Sequence, residues 1–178
     1  MPDSLYSVKN GTLSISDSLA LEGWRSSYNR YYSASIHPLL EKIIGTTFPD
    51  ISFLDENFKS HNLSDFNNKE LVVNYNYPYC AHCMDRIDST LKAVRKGQVH
   101  VIVLLSEIYR KEIKDFKNYG ENVSIGLISD DTRNLISFNL GDDIMYYLSK
   151  SRGVEFFDLI YNTNRHEAWE KFLEKHSQ

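Results

Sequence analysis

The sequence lacks the features by which several large classes of protein are recognised. It has no run of five or more charges of one sign and a formal net charge of −4, so neither a nucleic-acid-binding surface nor a polybasic membrane anchor is expected. The apolar run at residues 99–105 is far too short to cross a bilayer. Residues 1–5 lack the basic and apolar regions of a signal peptide, so none is predicted from the chain as given.

Motifs of several enzyme classes are absent as well. The eight glycines never form the loops that bind nucleotide phosphates, and neither a serine-hydrolase motif nor a zinc-protease HExxH motif occurs. Hydrophobic residues make up 42% of the chain and charged residues 25%, a balance that supports one domain with a real core and excludes a disordered chain. We therefore predict a folded domain with no cofactor.

Cysteine is scarce, and its placement is the most informative feature of the sequence. The two cysteines, Cys80 and Cys83, lie three residues apart, which random placement would produce about once in ninety cases. A disulfide between them would close a loop of two residues and would barely restrict the unfolded chain. The pair is therefore predicted to serve chemistry rather than architecture.

Residues 1–43 are predicted to form an N-terminal extension that packs on the main domain. Two short β-prone segments flank Asn10-Gly11, a dipeptide that favours the tight turn of a β-hairpin. Asp17 or Ser18 is then a candidate N-cap for a helix that ends at about Ile36. The extension is thus expected to contain a hairpin followed by a helix.

From Ile44 onward, strand patterns alternate with helix patterns. The run at residues 99–105 is typical of a strand that is buried on both faces of a sheet. Asn164 and Glu167 have the spacing of a capping box, which predicts a closing helix that buries Trp169 and Phe172. The full prediction has strands at residues 71–75, 99–105, 123–128, 135–138, 145–148 and 154–157, and helices at about 81–96, 108–119 and from 165 onward.

A Cys-x-x-Cys sequence between a strand and a helix predicts a redox site. At a helix start the first backbone N–H groups have no intrahelical partner, so a Cys80 thiolate there would be stabilised and its pKa would fall below the free value of about 8.5. Cys83, one turn later, could then attack a mixed disulfide formed at Cys80. His82 is predicted to stabilise the thiolate and so make the disulfide more oxidising. Pro78 and Tyr79 are expected to shape the approach and limit solvent access.

Three segments before the cysteines resemble a known family. They are residues 44–50 (IGTTFPD), 62–66 (NLSDF) and 69–75 (KELVVNY). Their order and spacing resemble the TlpA/ResA-like thiol–disulfide oxidoreductases of bacterial envelopes, which belong to the thioredoxin superfamily. The resemblance covers the domain expected at residues 44–178. Asn74 lies six residues before Cys80, where that family usually carries asparagine.

The resemblance has consequences for fold, activity and location. It implies an α/β thioredoxin-like fold, with a central mixed β-sheet flanked by helices, to which the N-terminal hairpin and helix are added. It implies exchange of disulfides with protein thiols, a redox partner protein, and a place in the periplasm or cell envelope. We expect neither a nucleic-acid partner nor a membrane-spanning segment.

The sequence departs from the family pattern at three points. Tyr79 replaces the usual tryptophan before the first cysteine, and Arg86 stands where some relatives place an acidic residue. The family's cis-proline loop, which faces the cysteines and binds substrate, has no proline here. Alignment places Asp143 or Ile144 at that position, so these residues are expected to line the substrate face. A cis bond without proline would cost about 2.5–4 kcal/mol, so none is expected.

Other functions remain open at this stage. Copper-handling relatives of the fold pair two cysteines with a distant histidine, and His82, His100 and His166 are candidates for a metal-binding module. A four-ligand structural zinc site is not expected, because no second ligand pair occurs. A third possibility is a catalytically quiet interaction domain that has kept its cysteines. A peroxidase is disfavoured because no Thr-x-x-Cys sequence is present.

Overall fold

The computed structural model describes residues 6–9, 12–15, 43–76, 79–94, 98–116, 119–137, 144–159 and 163–176. The strands are β1 (Tyr6–Lys9), β2 (Thr12–Ile15), β3 (Ser52–Leu54), β4 (Ser60–Asn62), β5 (Glu70–Tyr75), β6 (Val99–Ser106), β7 (Val123–Ile128), β8 (Ile144–Leu148) and β9 (Val154–Leu159). The helices are α1 (Ala81–Ala93), α2 (Asp130–Ser137) and α3 (Thr163–His176). Short 3-10 helices span Leu63–Phe66, Glu107–Tyr109 and Ile113–Asp115.

Seven strands form one mixed sheet in the order β4-β3-β7-β6-β5-β8-β9. β6 pairs in parallel with both β5 and β7, and the remaining pairings are antiparallel. All eight residues of β6 are buried, as its nearly continuous apolar sequence predicts for a central strand. The predicted α/β thioredoxin-like class, a central mixed sheet flanked by helices, is confirmed.

Two apolar layers cover the two faces of this sheet. One face carries Val73, Tyr75 and Tyr146. The other face packs against the helices that hold Ile87 and Trp169. The layers differ because successive side chains of a strand point to opposite faces. Helix α1, which begins at the cysteines, therefore packs on the same face of the sheet as the helix that holds Trp169.

Two sequence-based predictions in the crossover segments are wrong. Residues 108–119 do not form one helix, because the segment instead makes two single turns closed by hydrogen bonds such as Arg110 N–H to Glu107 O and Phe116 N–H to Ile113 O. Residues 135–138 are not a strand, because residues up to Ser137 belong to α2.

A local signal at the start of α2 explains the second error. The Ser129 hydroxyl accepts a hydrogen bond from the Thr132 N–H at 3.3 Å, which caps the helix. Asp130 and Asp131 lie in its first turn, where carboxylates interact favourably with the helix dipole. An acidic pair between two apolar segments is thus typical of a helix start as well as of a turn between strands.

The ends of the chain show the expected elements where they are described. Strands β1 and β2 pair antiparallel around Asn10-Gly11, with Tyr6 opposite Ile15. The helix predicted to begin at Asp17 or Ser18 lies outside the described residues, and the domain boundary at residue 43 stays a prediction. The closing helix begins at Thr163, two residues earlier than predicted, and Trp169 is buried while Phe172 is half-buried. None of the described helices combines the length and apolar character needed to cross a membrane.

His100 gives a testable consequence of burial in β6. Its ring lies against Phe66, with centroids 4.6 Å apart, and its Nε2 is 2.9 Å from Ser124 Oγ. Burial, with a smaller contribution from the charge of Lys69, lowers the pKa of His100 to about 4. His100 in the folded protein is therefore protonated only at about pH 4, whereas in the unfolded chain it is protonated at about pH 6.5.

We predict that His100 makes the protein less stable as the pH falls from about 6.5 to about 4. The loss should be about 1–3 kcal/mol, since each pKa unit is worth about 1.4 kcal/mol and solvent screens part of it. Urea unfolding of the wild type and of His100→Gln at several pH values measures this loss in the free energy of unfolding. The two stability curves should converge as the pH falls below 6.5, and curves that stay parallel would contradict the prediction.

Candidate redox site

The two cysteines lie at the start of α1 and are joined by a disulfide, with their Cα atoms 5.2 Å apart. Cys80 is the N-cap residue of the helix and is half-buried. Cys83 lies one turn later and is only 1% exposed. Of the two sulfurs, only that of Cys80 is placed where a large partner can reach it without opening the core.

One backbone N–H group at the helix start donates to the sulfur of Cys80, while the next closes the first helical turn. The Cys83 N–H donates to Cys80 Sγ at 3.2 Å, and the Met84 N–H donates to Cys80 O at 3.1 Å. The sulfur thus takes the place of the side-chain oxygen that usually caps a helix. A hydrogen bond from N–H together with the positive end of the helix dipole favours a negatively charged sulfur.

Strand β5 leads the chain to this position. It lies between β6 and β8 in the sheet, and the Asn76 N–H continues the pairing by donating to Leu104 O at 2.8 Å. Asn74 is fully buried, and neither polar atom of its side-chain amide has a hydrogen-bond partner among the described residues. An unpaired buried amide costs about 1–3 kcal/mol, so this position carries a polar group at the expense of stability.

Tyr79 lies outward beside the cysteines. It is 76% exposed, and its ring meets Tyr109 edge-on at a centroid distance of 6.3 Å. We expected Tyr79 to limit solvent access, but a ring this exposed mainly offers apolar surface to a partner. The residue before the first cysteine therefore belongs to the outer surface of the site.

The predicted substrate-facing residues are only partly described. Ile144 begins β8 next to Met145, which lies opposite Asn74 near the end of β5. This register brings it to the same edge of the sheet as the segment that leads to Cys80. The Ile144 side chain is 3% exposed and belongs to the core with Tyr75, so a direct contact with substrate at this position would have to use backbone atoms.

Other predicted site residues fall outside the described part of the structure. Pro78 and Asp143 are among them. The backbone of His82 lies in the first turn of α1, whereas its side chain is not described. The described residues contain no cis peptide bond.

A buried ionic cluster beneath α1 was not predicted. Arg86 forms an ion pair with Asp158 of β9, and these side chains are 6% and 0% exposed. His166 of α3 joins them, with Nδ1 at 2.6 Å from Arg86 Nη1 and 3.1 Å from Asp158 Oδ2. Arg86 is one of the departures from the family pattern and His166 is a metal candidate in the sequence, whereas Asp158 was not predicted. The sequence does contain a signal for Asp158. It lies two residues after Phe156 on the same strand, so both side chains point to the same face of the sheet, and that face packs against the helices.

The described histidines do not form a metal site with the cysteines. No group of three or more His, Cys, Asp or Glu residues within the described ranges is arranged to hold a metal ion. His100 is paired with Ser124, and His166 is engaged with Arg86 and Asp158. Two of the three histidines proposed as ligands therefore serve the fold.

A cavity in the described part of the structure lies away from the disulfide. Its volume is about 710 Å³, and it lies between the β3–β4 hairpin and the start of β7. Its lining includes Asp55, His61, Phe66, Lys114 and Ser124 but neither cysteine. This cavity therefore has no part in chemistry at the disulfide.

Comparisons with known proteins identify the fold. No family model matches the chain, and no curated protein matches it. Among solved structures, the thioredoxin domain of a thiol-disulfide oxidoreductase from Bacteroides vulgatus is similar, with a TM-score of 0.56, 19% identity, and coverage of 73% of this chain and 97% of that one.

Two further structures extend the comparison. An exposed lipoprotein thioredoxin from Streptococcus pneumoniae gives a TM-score of 0.52 at 12% identity, covering 70% of this chain and 99% of that one. The copper-bound ScoI protein of Arabidopsis thaliana gives 0.52 at 10% identity, covering 72% and 96%. Identities this low show a shared fold. The chain thus has the thioredoxin-like fold, with its cysteine pair at the start of the helix that follows a central strand.

Proposed function

We propose that the protein is a thiol–disulfide oxidoreductase that exchanges disulfides with protein thiols through Cys80 and Cys83. One observation above all supports this proposal. The half-buried sulfur of Cys80 accepts a hydrogen bond from the Cys83 N–H at a helix start, and the second sulfur lies within bonding distance of it. A disulfide closing so short a loop adds little to stability, so its position is better explained by reactivity.

The reaction follows from the unequal burial of the two sulfurs. In the reduced protein, the Cys80 thiolate attacks one sulfur of a substrate disulfide, and the other substrate sulfur leaves as a thiolate that takes up a proton. Cys83 then loses its proton and attacks Cys80 Sγ, which releases the second substrate thiol and forms the Cys80–Cys83 disulfide. Two electrons pass from the protein to the substrate, and the reverse sequence oxidises a substrate dithiol.

The surrounding residues have proposed supporting roles. Tyr79 offers exposed aromatic surface to the bound partner, and Pro78 directs the chain into the helix start. Asp143 and Ile144 occupy the position of the family's substrate-binding loop, where the backbone of a substrate would lie. His82 sits between the two cysteines and stabilises the reduced form.

We further propose that the partners are protein thiols and disulfides together with a redox partner protein, and that exchange takes place in the periplasm or cell envelope. The family resemblance supports both proposals. One structural neighbour is itself described as an exposed lipoprotein. The exposed ring of Tyr79 beside Cys80 offers contact surface to a protein substrate.

Metal binding is the weaker alternative. It is supported by the likeness to a copper-bound protein, but that likeness extends to the fold only. The engagement of His100 and His166 in other contacts leaves His82 as the remaining candidate from the sequence analysis. Anaerobic copper titration of the reduced protein and of Cys80→Ser distinguishes the two functions, since tight equimolar uptake that is lost in the variant would favour the metal function.

Replacement of each cysteine should have a different outcome. We predict that Cys80→Ser reduces the rate of insulin disulfide reduction to the uncatalysed background, because the nucleophile is lost. Cys83→Ser should instead accumulate mixed disulfides with substrate, because the resolving thiol is lost. Non-reducing electrophoresis and mass spectrometry detect these adducts.

Met84→Leu is the matched control for these variants. It removes a neighbouring sulfur that is not a thiol, and it should leave the exchange rate unchanged. Wild-type exchange activity in both cysteine variants would overturn the proposed function.

The role of His82 can be measured as a reduction potential. We predict a wild-type potential more oxidising than that of thioredoxin, which is about −270 mV, and a more reducing potential for His82→Ala, because a donor to the thiolate is lost. Equilibration with glutathione gives both values. A potential well below about −270 mV that does not change in His82→Ala would remove the role given to this residue.

A further inference from the structure

The ionic cluster beneath α1 combines deep burial with opposite charges. Asp158 is fully buried, and its Oδ1 has no hydrogen-bond donor among the described residues. Arg86 and His166 both approach its other oxygen, Oδ2, and Glu170 lies 3.4 Å from His166 Nε2 at the outer side. Charges buried in this way are screened by salt and solvent far less than surface charges. Their field therefore reaches neighbouring groups.

The nearest reactive groups are the two sulfurs. Arg86 lies three residues after Cys83 in α1, and residues at this spacing are neighbours on one helix face. Both residues are buried, so the shared face is the one that packs on the sheet. The positive member of the ion pair thus lies one turn from the cysteines.

Strand register places the negative member on the same side of the sheet. Asn74 is opposite Met145, and Met145 is opposite Asp158. Directly opposed residues in antiparallel strands project to the same face, and Met145 belongs to the layer that contains Ile87 of α1. Asp158 therefore faces α1 from beneath and reaches the cysteine turn through Arg86.

The pairing also relates to stability. A buried ion pair is weak support for a fold, since apolar residues of similar volume often stabilise a protein as much or more. Trp169 and Thr90 already join α3 to α1 through a hydrogen bond of 3.3 Å. Packing therefore does not explain why these charges are buried, whereas an electrostatic effect on the adjacent sulfurs would explain it.

We propose that Arg86 and Asp158 are positioning residues that set the stability of the thiolate in the reduced cysteine pair, Arg86 favouring it and Asp158 limiting that effect. The proposal rests on the proposed function, because it concerns the same two sulfurs. A stabilised thiolate lowers the free energy of the reduced protein, so it makes the disulfide a stronger oxidant. The two residues should therefore act on the equilibrium in opposite directions.

Replacement of each charge alone tests this opposition. Arg86→Gln should make the protein about tenfold more reducing in its equilibrium with glutathione. Asp158→Asn, which leaves the arginine charge uncompensated, should make it about tenfold more oxidising. Tenfold corresponds to about 30 mV for this two-electron couple. The double variant should return close to the wild-type value, and Arg86→Lys, which keeps the charge, should stay near it. The pH dependence of Cys80 alkylation should move in the same order.

Several controls separate charge from damage to the fold. Arg152→Gln removes another half-buried arginine, which donates to the carbonyls of Lys69 and Leu63 at 3.0 Å, and it should not change the potential. A loss of stability shared by the oxidised and reduced forms cancels in the potential, so a structural role alone cannot produce shifts of opposite sign. If Arg86→Gln does not fold, the comparison of Arg86→Lys and Asp158→Asn with the wild type still applies.

The outcomes are distinct from those that test the proposed function. Shifts in the same direction, or shifts no larger than that of Arg152→Gln, would overturn the role of the ion pair while leaving the exchange reaction intact. A wild-type cysteine pair that cannot be titrated reversibly between dithiol and disulfide would instead overturn the proposed function itself.

Discussion

The hydrogen bond from the Cys83 N–H to Cys80 Sγ is the interaction on which the proposed chemistry of this protein depends. It forms because β5 ends and α1 begins within a few residues, so a first-turn N–H group with no intrahelical partner meets the first sulfur. The burial of β5 and β6 holds that junction in place. The central sheet thus supports the site by fixing where one helix starts.

A second constraint lies beneath the helix, where polar groups occupy an otherwise apolar layer. The Asn74 amide has no hydrogen-bond partner among the described residues, and Arg86, Asp158 and His166 form a buried cluster. Such groups cost stability that apolar residues would supply. The charged cluster lies between α1, β9 and α3, and Asn74 lies on the strand that leads to Cys80, so the proposed effect on the cysteines would account for the cost.

The elements that sequence analysis located correctly have strong local signals. Strand β6 has an unbroken apolar run, and the hairpin of β8 and β9 has two β-rich segments around a short turn. The errors fell on residues 108–119 and 135–138, where three or four apolar positions fit a helix, a strand or a pair of single turns equally well. The packing of those side chains on the sheet decided between them, and the Ser129 cap settled the start of α2. The strands β3 and β4 are only three residues long, too short for a strand pattern to be detected, and β4 is polar as well.

The sequence by itself determined the cysteine pair, the central strands and the likeness to a thioredoxin fold, because these depend on spacing and periodicity along the chain. Only the tertiary structure decided that Cys83 is buried while Cys80 is partly exposed, that Tyr79 lies outward, and that Arg86 meets Asp158. Asp158 lies 72 residues after Arg86, and their encounter follows from the register of β8 against β5 and β9. Contacts between residues so far apart arise when the whole sheet assembles, and no local pattern encodes them.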